Sequence, residues 1–201
     1  MTPEIVLLCA LAAVLELDTT YAFQLMFSRG IIAGPLFAII TGNWMAGIQV
    51  GVFTELLFAD VSPLGTILPP SAVVCCAVSM ALNVLDIELC FAFIWGVLAA
   101  FLFAQIEQYM RKRRVKILPF WESKIMQRPG FINRIIVWEL GTNALINFVF
   151  ISLFVWISSQ IMLWLLPHIP IQSTVACRFA YMAVPWIGLA SLIPEFRFKK
   201  R

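Results

Sequence analysis

Charged residues are scarce in this sequence. Asp, Glu, Lys and Arg make up 12% of its 201 residues, about half the share found in soluble domains, while 62% are hydrophobic. A water-soluble domain of this length has too much surface to hide that much apolar side chain in one core. The soluble classes, and any large cytosolic catalytic module, are therefore excluded. Histidine occurs once, at His168 in a proline-flanked turn, which leaves no nucleophile–base constellation to assemble. No glycine-rich phosphate loop of the P-loop type is present. The five cysteines, Cys9, Cys75, Cys76, Cys90 and Cys177, lie inside apolar stretches and lack a metal-type CxxC spacing. They read as small core residues. The expectation is a chain that performs no chemistry by itself and takes no metal or cofactor. The first apolar run has no Lys or Arg before it and carries Glu4 instead, so a retained membrane segment is expected there, not a cleaved secretory signal.

What the sequence does have is apolar length. Mean hydropathy is +0.93, and one span takes about 20 residues, which leaves room for roughly five to seven membrane segments. Apolar runs cover Ile5 to Phe27, Gly30 to Ala59, Ser71 to Val84, Leu85 to Tyr109, Ile135 to Leu166 and Val175 to Ile193. Lipid offers backbone amides no partners, so the fold class expected is all-α, a polytopic membrane helical bundle. Positive charge is lopsided: residues 111–134 hold eight Lys/Arg, Arg197 to Arg201 hold four, and only Arg29 and Arg178 lie elsewhere. The positive-inside rule places both blocks in the cytoplasm, as in a multi-pass protein of the cell (inner) membrane. Three parts follow: an N-terminal membrane part, 1–109, a basic cytoplasmic loop, 110–134, and a C-terminal membrane hairpin with a basic tail, 135–201. The basic loop reads as a topology determinant contacting anionic membrane lipid, or as a dock for a soluble phosphoprotein. Nucleic acid is not needed to explain it.

Several polar features interrupt the apolar runs. Asp60 to Pro70 contains Pro63, Gly65, Pro69 and Pro70 and no Lys or Arg, which predicts a re-entrant or broken-helix element near residues 60–70, beside a pathway. A charged side chain at the bilayer centre costs about 2.5 to 3.5 kcal/mol on insertion scales, so each acid there needs a partner, a proton or a hydrated cavity. Asp86 and Glu88 sit at a junction between segments and face water. Asn43, Gly47, Gly51 and Glu55 recur every four residues along one helix face. The glycines suit a helix-packing seam, whereas the carboxylate that ends the row points to a polar site. Glu139, Asn143 and Asn147 form a second stripe, suited either to interhelical hydrogen bonds or to a hydroxyl-rich solute. Asp18, Thr19, Thr20 and Gln24 make the first segment too polar for lipid. They suit hydroxyl recognition, or a contact with a neighbouring subunit in an oligomer.

Taken together, Leu17-Asp18, Gln24, Ser28-Arg29, Gly42, Gly47, Gly51, Glu55, Pro63, Gly65 and Pro69-Pro70 resemble, in order and spacing, the membrane subunit IIC of the mannose-family (mannose, fructose, sorbose) sugar phosphotransferase system. The sequence departs from that pattern at Gly30, where Pro is usual, at Asn43 and Ser71, where Asp is usual, and at Asp60, where Gly is common. The resemblance implies a non-catalytic subunit that binds a hexose-type sugar and carries it inward with a second membrane subunit, IID. A IIAB phosphoprotein then phosphorylates the sugar. The substrate-binding candidates are Asp18, Gln24, Asn43, Glu55, Pro69 and Pro70 within the resembling stretch, together with Asn143 from the second polar stripe. Two rival readings stand beside the resemblance. One is a structural or regulatory subunit that has lost transport. The other is an unrelated secondary transporter, coupling protons through Glu16, Asp18 and Glu55.

Overall fold

A computed structural model describes residues 2–19, 25–59, 68–127 and 132–197. Within them the chain is helical and has no strands: α1 (Pro3–Leu17), α2 (Gly30–Thr41), α3 (Trp44–Phe58), α4 (Ala72–Val84), α5 (Leu89–Gln127), α6 (Ile132–Leu165) and α7 (Ile171–Arg197), with a short 3-10 turn, Leu166–His168, between the last two. By length and composition, residues 89–126, 132–168 and 171–192 are each able to cross a membrane. The expected membrane helical bundle is thus observed.

The centre of the bundle is a helix too short to span it. In α4 every residue from Val73 to Leu82 is buried, as expected of a helix that is apolar all round. It packs closely against α5 because Gly96 has no side chain: a Cβ there would meet the Ser79 side chain and stand 2.5 Å from the Cys75 carbonyl oxygen.

The apolar run from Gly30 to Ala59, expected as one segment, is a hairpin of two helices, of 12 and 15 residues. These reach about 18 and 22 Å against a hydrocarbon core of about 30 Å. The break falls at Gly42, whose left-handed φ of 72° ends α2, and Asn43, whose side chain accepts from the Ala46 amide to begin α3. Glycine tolerates that backbone conformation without strain. The hairpin closes on glycine: a Cβ on Gly34 would lie 2.7 Å from the Gly51 Cα, and one on Gly47 would lie 2.7 Å from the Gly34 carbonyl oxygen. The seam expected from Gly47 and Gly51 therefore exists, and Gly30 and Gly34 are its other half.

The stretch expected as a basic loop from residue 110 is helical as far as Gln127, the continuation of α5. Lys and Arg are good helix formers, and the i,i+4 pair of Glu107 with Arg111 supports the helix where the apolar run ends. Of the element expected near residues 60–70, residues 60–67 lie outside the described part. Residues 68–70 have no regular structure, and Pro70 is buried.

α7 runs parallel to α5. Glu88, in the turn before α5, pairs with Arg178 at 2.6 Å, and one turn further on Phe93 meets Tyr181 at 5.3 Å between ring centroids. Tyr181 also packs on Phe53 of α3 at 4.8 Å. Hydrogen bonds from Arg178 hold the Glu88 carboxyl below the usual carboxylate range. The pair therefore persists through neutral pH and is lost only as pH falls through that lowered value.

Two alanine substitutions should separate seam from surface. Gly34→Ala should destabilise the chain by about 1 to 3 kcal/mol through overpacking. Gly141→Ala, where an added Cβ meets nothing within 4 Å, should leave stability unchanged or raise it by up to about 1 kcal/mol. Thermal unfolding of the purified variants in detergent checks both; equal melting temperatures would contradict the seam.

Candidate functional site

Four helix ends meet at one level of the bundle: the C-termini of α1 and α3 and the N-termini of α2 and α4. Helix ends leave backbone amides and carbonyls without intrahelical partners, and here the polar side chains of the apolar runs supply several of them. Glu55, in the last turn of α3, accepts a hydrogen bond from the Gly30 amide at 2.9 Å and pairs with Arg29 at 3.1 Å. A carboxylate is favoured at that place because a helix N-terminus carries partial positive charge. The Glu55 side chain is 26% exposed, so it lies at the edge of the seam. The donor depends on Gly30: the proline usual at this place in the resembled family has no N–H to give.

Asp18 caps the C-terminal end of α1 and is buried. Its two carboxylate oxygens accept from the amides of Leu25, at 2.9 Å, and Phe27, at 2.8 Å. Between those residues Met26 has a left-handed φ of 64°, a strained conformation for a side-chain-bearing residue, costing roughly 1 to 3 kcal/mol. Two amide bonds to a charged acceptor, roughly 1.5 to 3 kcal/mol each, offset it. Residues 25–30 are thereby held at one end by Asp18 and at the other by Glu55.

Glu16, two residues before Asp18, is buried to 3% exposure and accepts from the Ser71 hydroxyl at 2.7 Å. Ser71 also accepts from the Val74 amide at 3.2 Å, which starts α4. Where the resembled pattern has Asp, this chain therefore has a donor to Glu16. A second carboxylate would oppose the first unless the two shared a proton.

Beside Glu16 lies a cleft lined also by Thr19, by Glu107 of α5 and by Asn143 and Asn147 of α6. Asn143 donates to the Glu139 carbonyl oxygen at 2.6 Å. Asn147 is 8% exposed. The volume open to a water-sized body is about 10 Å³, room for about one water molecule and not for a sugar ring.

The structure thus brings Asn143 to Glu16, and Pro69 and Pro70 to the residue that bonds Glu16. It keeps Asn43 apart from Glu55. These two lie at opposite ends of α3, about 18 Å apart along the helix axis, and Asn43 instead donates to the Asn83 side chain at 3.0 Å, exposed at the far end of α4. Gln24 falls outside the described residues. Four polar cleft residues were not among the substrate-binding candidates, Glu16, Thr19, Glu107 and Asn147, although Thr19 and Asn147 lie in polar stretches that the sequence singled out. An acid inside an apolar run was the signal for Glu16. Glu107 offered none, because it borders the basic stretch and reads as its counter-charge.

The family model described as "PTS system sorbose-specific iic component" matches residues 3–199 of the chain. The match takes in nearly the whole sequence, well beyond the stretch from Leu17 to Ser71. No curated protein matches the chain.

Ser71 offers a direct check on the site's architecture. Ser71→Ala removes both a helix cap, worth about 1 kcal/mol, and a hydrogen bond to a carboxylate, worth roughly 1.5 to 3 kcal/mol. It should lower the melting temperature by several degrees, while Ser71→Thr retains most of the stability. Indistinguishable melting of the alanine variant and the parent would rule out the Glu16–Ser71 tie as a structural element.

Proposed function

Because the chain belongs to the sorbose-specific IIC family of the sugar phosphotransferase system, we propose that it carries a hexose inward across the cell membrane. It works there with a IID membrane subunit, and a IIAB phosphoprotein phosphorylates the sugar on arrival. Residues 111–134 and the C-terminal tail face the cytoplasm in this reading. The end of the bundle bearing Glu88 and Arg178 then faces outward.

The observation that carries the proposal is the polar cleft at the level where four helices end. Sugar hydroxyls both donate and accept, and the cleft offers both functions: carboxylates on Glu16 and Glu107, and amides on Asn143 and Asn147. Glu16, Asn143 and Asn147 are assigned to sugar hydroxyls. Asp18 and Glu55 are assigned to holding residues 25–30 beside the cleft. The cleft, sized for one water, has to widen to admit a sugar. The hairpin of α2 and α3 is suited to move as one body in such a step, because its seam is backbone against backbone.

A second reading is favoured by one specific contact. Glu55 is already engaged by the Gly30 amide and by Arg29, and in a transporter that has become a structural or regulatory subunit such engagement would be permanent. Labelled-hexose binding to the purified IIC–IID pair separates the two readings, since saturable binding supports only the first.

Phosphoenolpyruvate-dependent uptake, in cells supplying IID and IIAB, tests the residue assignments. Asn147→Leu, which removes a hydrogen-bonding amide from the cleft, should reduce uptake about tenfold or more, at roughly 1.5 kcal/mol per lost bond. Glu55→Gln keeps an acceptor for the Gly30 amide and loses the charge opposite Arg29, so a smaller reduction is expected. Undiminished uptake by Asn147→Leu at normal membrane level would remove the cleft from the pathway. Uptake that collapses with the proton gradient and ignores phosphoenolpyruvate would instead indicate a proton-coupled carrier.

A further inference from the structure

The contact between α5 and α7 contains a pair of thiols that no sugar-handling role uses. Cys90 of α5 and Cys177 of α7 line the same cavity between the two helices, and both are free cysteines. They lie in the same ladder as the Glu88–Arg178 ion pair and the Phe93–Tyr181 ring contact, so their register is fixed on either side. The Cys90 thiol also donates to Glu88 at 3.6 Å. That cavity, of about 200 Å³, is walled also by Phe93, Val97, Tyr181 and Val184. Burial is unequal: Cys90 is 3% exposed, whereas Cys177 is only partly covered.

We propose that Cys90 and Cys177 form a reversible disulfide that ties α7 to α5. The co-reactant is a small disulfide-bearing oxidant. The Cys177 sulfur, which is the accessible one, attacks the oxidant's S–S bond after losing its proton, forming a mixed disulfide and expelling one thiol. The Cys90 sulfur, likewise deprotonated, then displaces the second thiol and closes the Cys90–Cys177 bond. Two protein thiols are oxidised as one external disulfide is reduced to two thiols, and electrons and protons balance. The residues sit at the end of the bundle away from the basic block, and in the proposed orientation that end meets the oxidising side of the membrane, where disulfides persist. The tie would add to the packing of α7 on α3, where Gly188 lies against Leu56, in a helix of which only 11% of the apolar window is buried within the chain.

Right-side-out vesicles bearing the full-length chain provide the test. They are exposed to membrane-impermeant oxidised glutathione or to the permeant oxidant diamide, then denatured and labelled with a maleimide of large mass. The chain should lose two of its five labels with either reagent and regain them after dithiothreitol. Cys177→Ser should lose none, and Cys90→Ser, in which the mixed disulfide on Cys177 cannot be resolved, should lose at most one; alanine variants serve where serine is poorly tolerated. Retention of all five labels under both oxidants overturns the proposal. So does a two-label loss that persists in Cys90→Ser, which would point to another pair. A loss seen with diamide alone keeps the cross-link and overturns the outward orientation, a result distinct from any failure of the sugar assignments.

Discussion

Helix ends buried inside a membrane bundle need partners that lipid cannot offer, and this constraint organises the N-terminal half of the molecule. α2, α3 and α4 are apolar and too short to cross a bilayer. Their ends therefore fall within the protein, where an unpaired amide is costly. The polar residues of the apolar runs answer that need. Glu55 serves the start of α2, Asn43 the start of α3 and Ser71 the start of α4. Asp18 holds the strained turn between α1 and α2.

The same constraint explains why a cleft exists where it does. A level at which helices stop is a level at which side chains from longer neighbours face polar groups instead of apolar ones. Glu107 and Asn143 project from α5 and α6 into that level, opposite Glu16. Polar groups that merely completed a fold would pair and close, as Asn43 and Asn83 do. The Glu16–Asn147 region instead retains space for about one water molecule.

Glycine decides how the short helices pack. Gly30, Gly34, Gly47 and Gly51 let two backbones touch, and Gly96 does the same for α4 against α5. α6 and α7, by contrast, present large apolar side chains outward, among them Trp156, Trp164 and Trp186. Such faces suit acyl chains or the helices of another membrane subunit. The inner faces of α6 and α7 still close on the short helices: a Cβ on Gly188 of α7 would stand 2.5 Å from the Leu56 carbonyl oxygen of α3, and α6 buries Ile151, Val155 and Met162.

Composition and order along the chain determined the class of this protein. Scarce charge and long apolar runs are properties of the whole sequence, and they specify a helical membrane bundle whatever its packing. The motif residues from Leu17 to Pro70 likewise identified the family, because order and spacing need no three-dimensional knowledge. Other features had to wait for tertiary structure. Gly30 to Ala59 reads as one apolar segment, and only the left-handed turn at Gly42 and the glycine contacts across it show a hairpin. Asn43 and Glu55 share a helical row yet lie at its two ends, so a stripe four residues apart did not make them one site. Glu16 and Asn147 are far apart in sequence, each visible there only as a polar residue in a separate apolar run. They come together because a helix that ends and a helix that continues meet at the same depth, and that meeting is a property of packing alone.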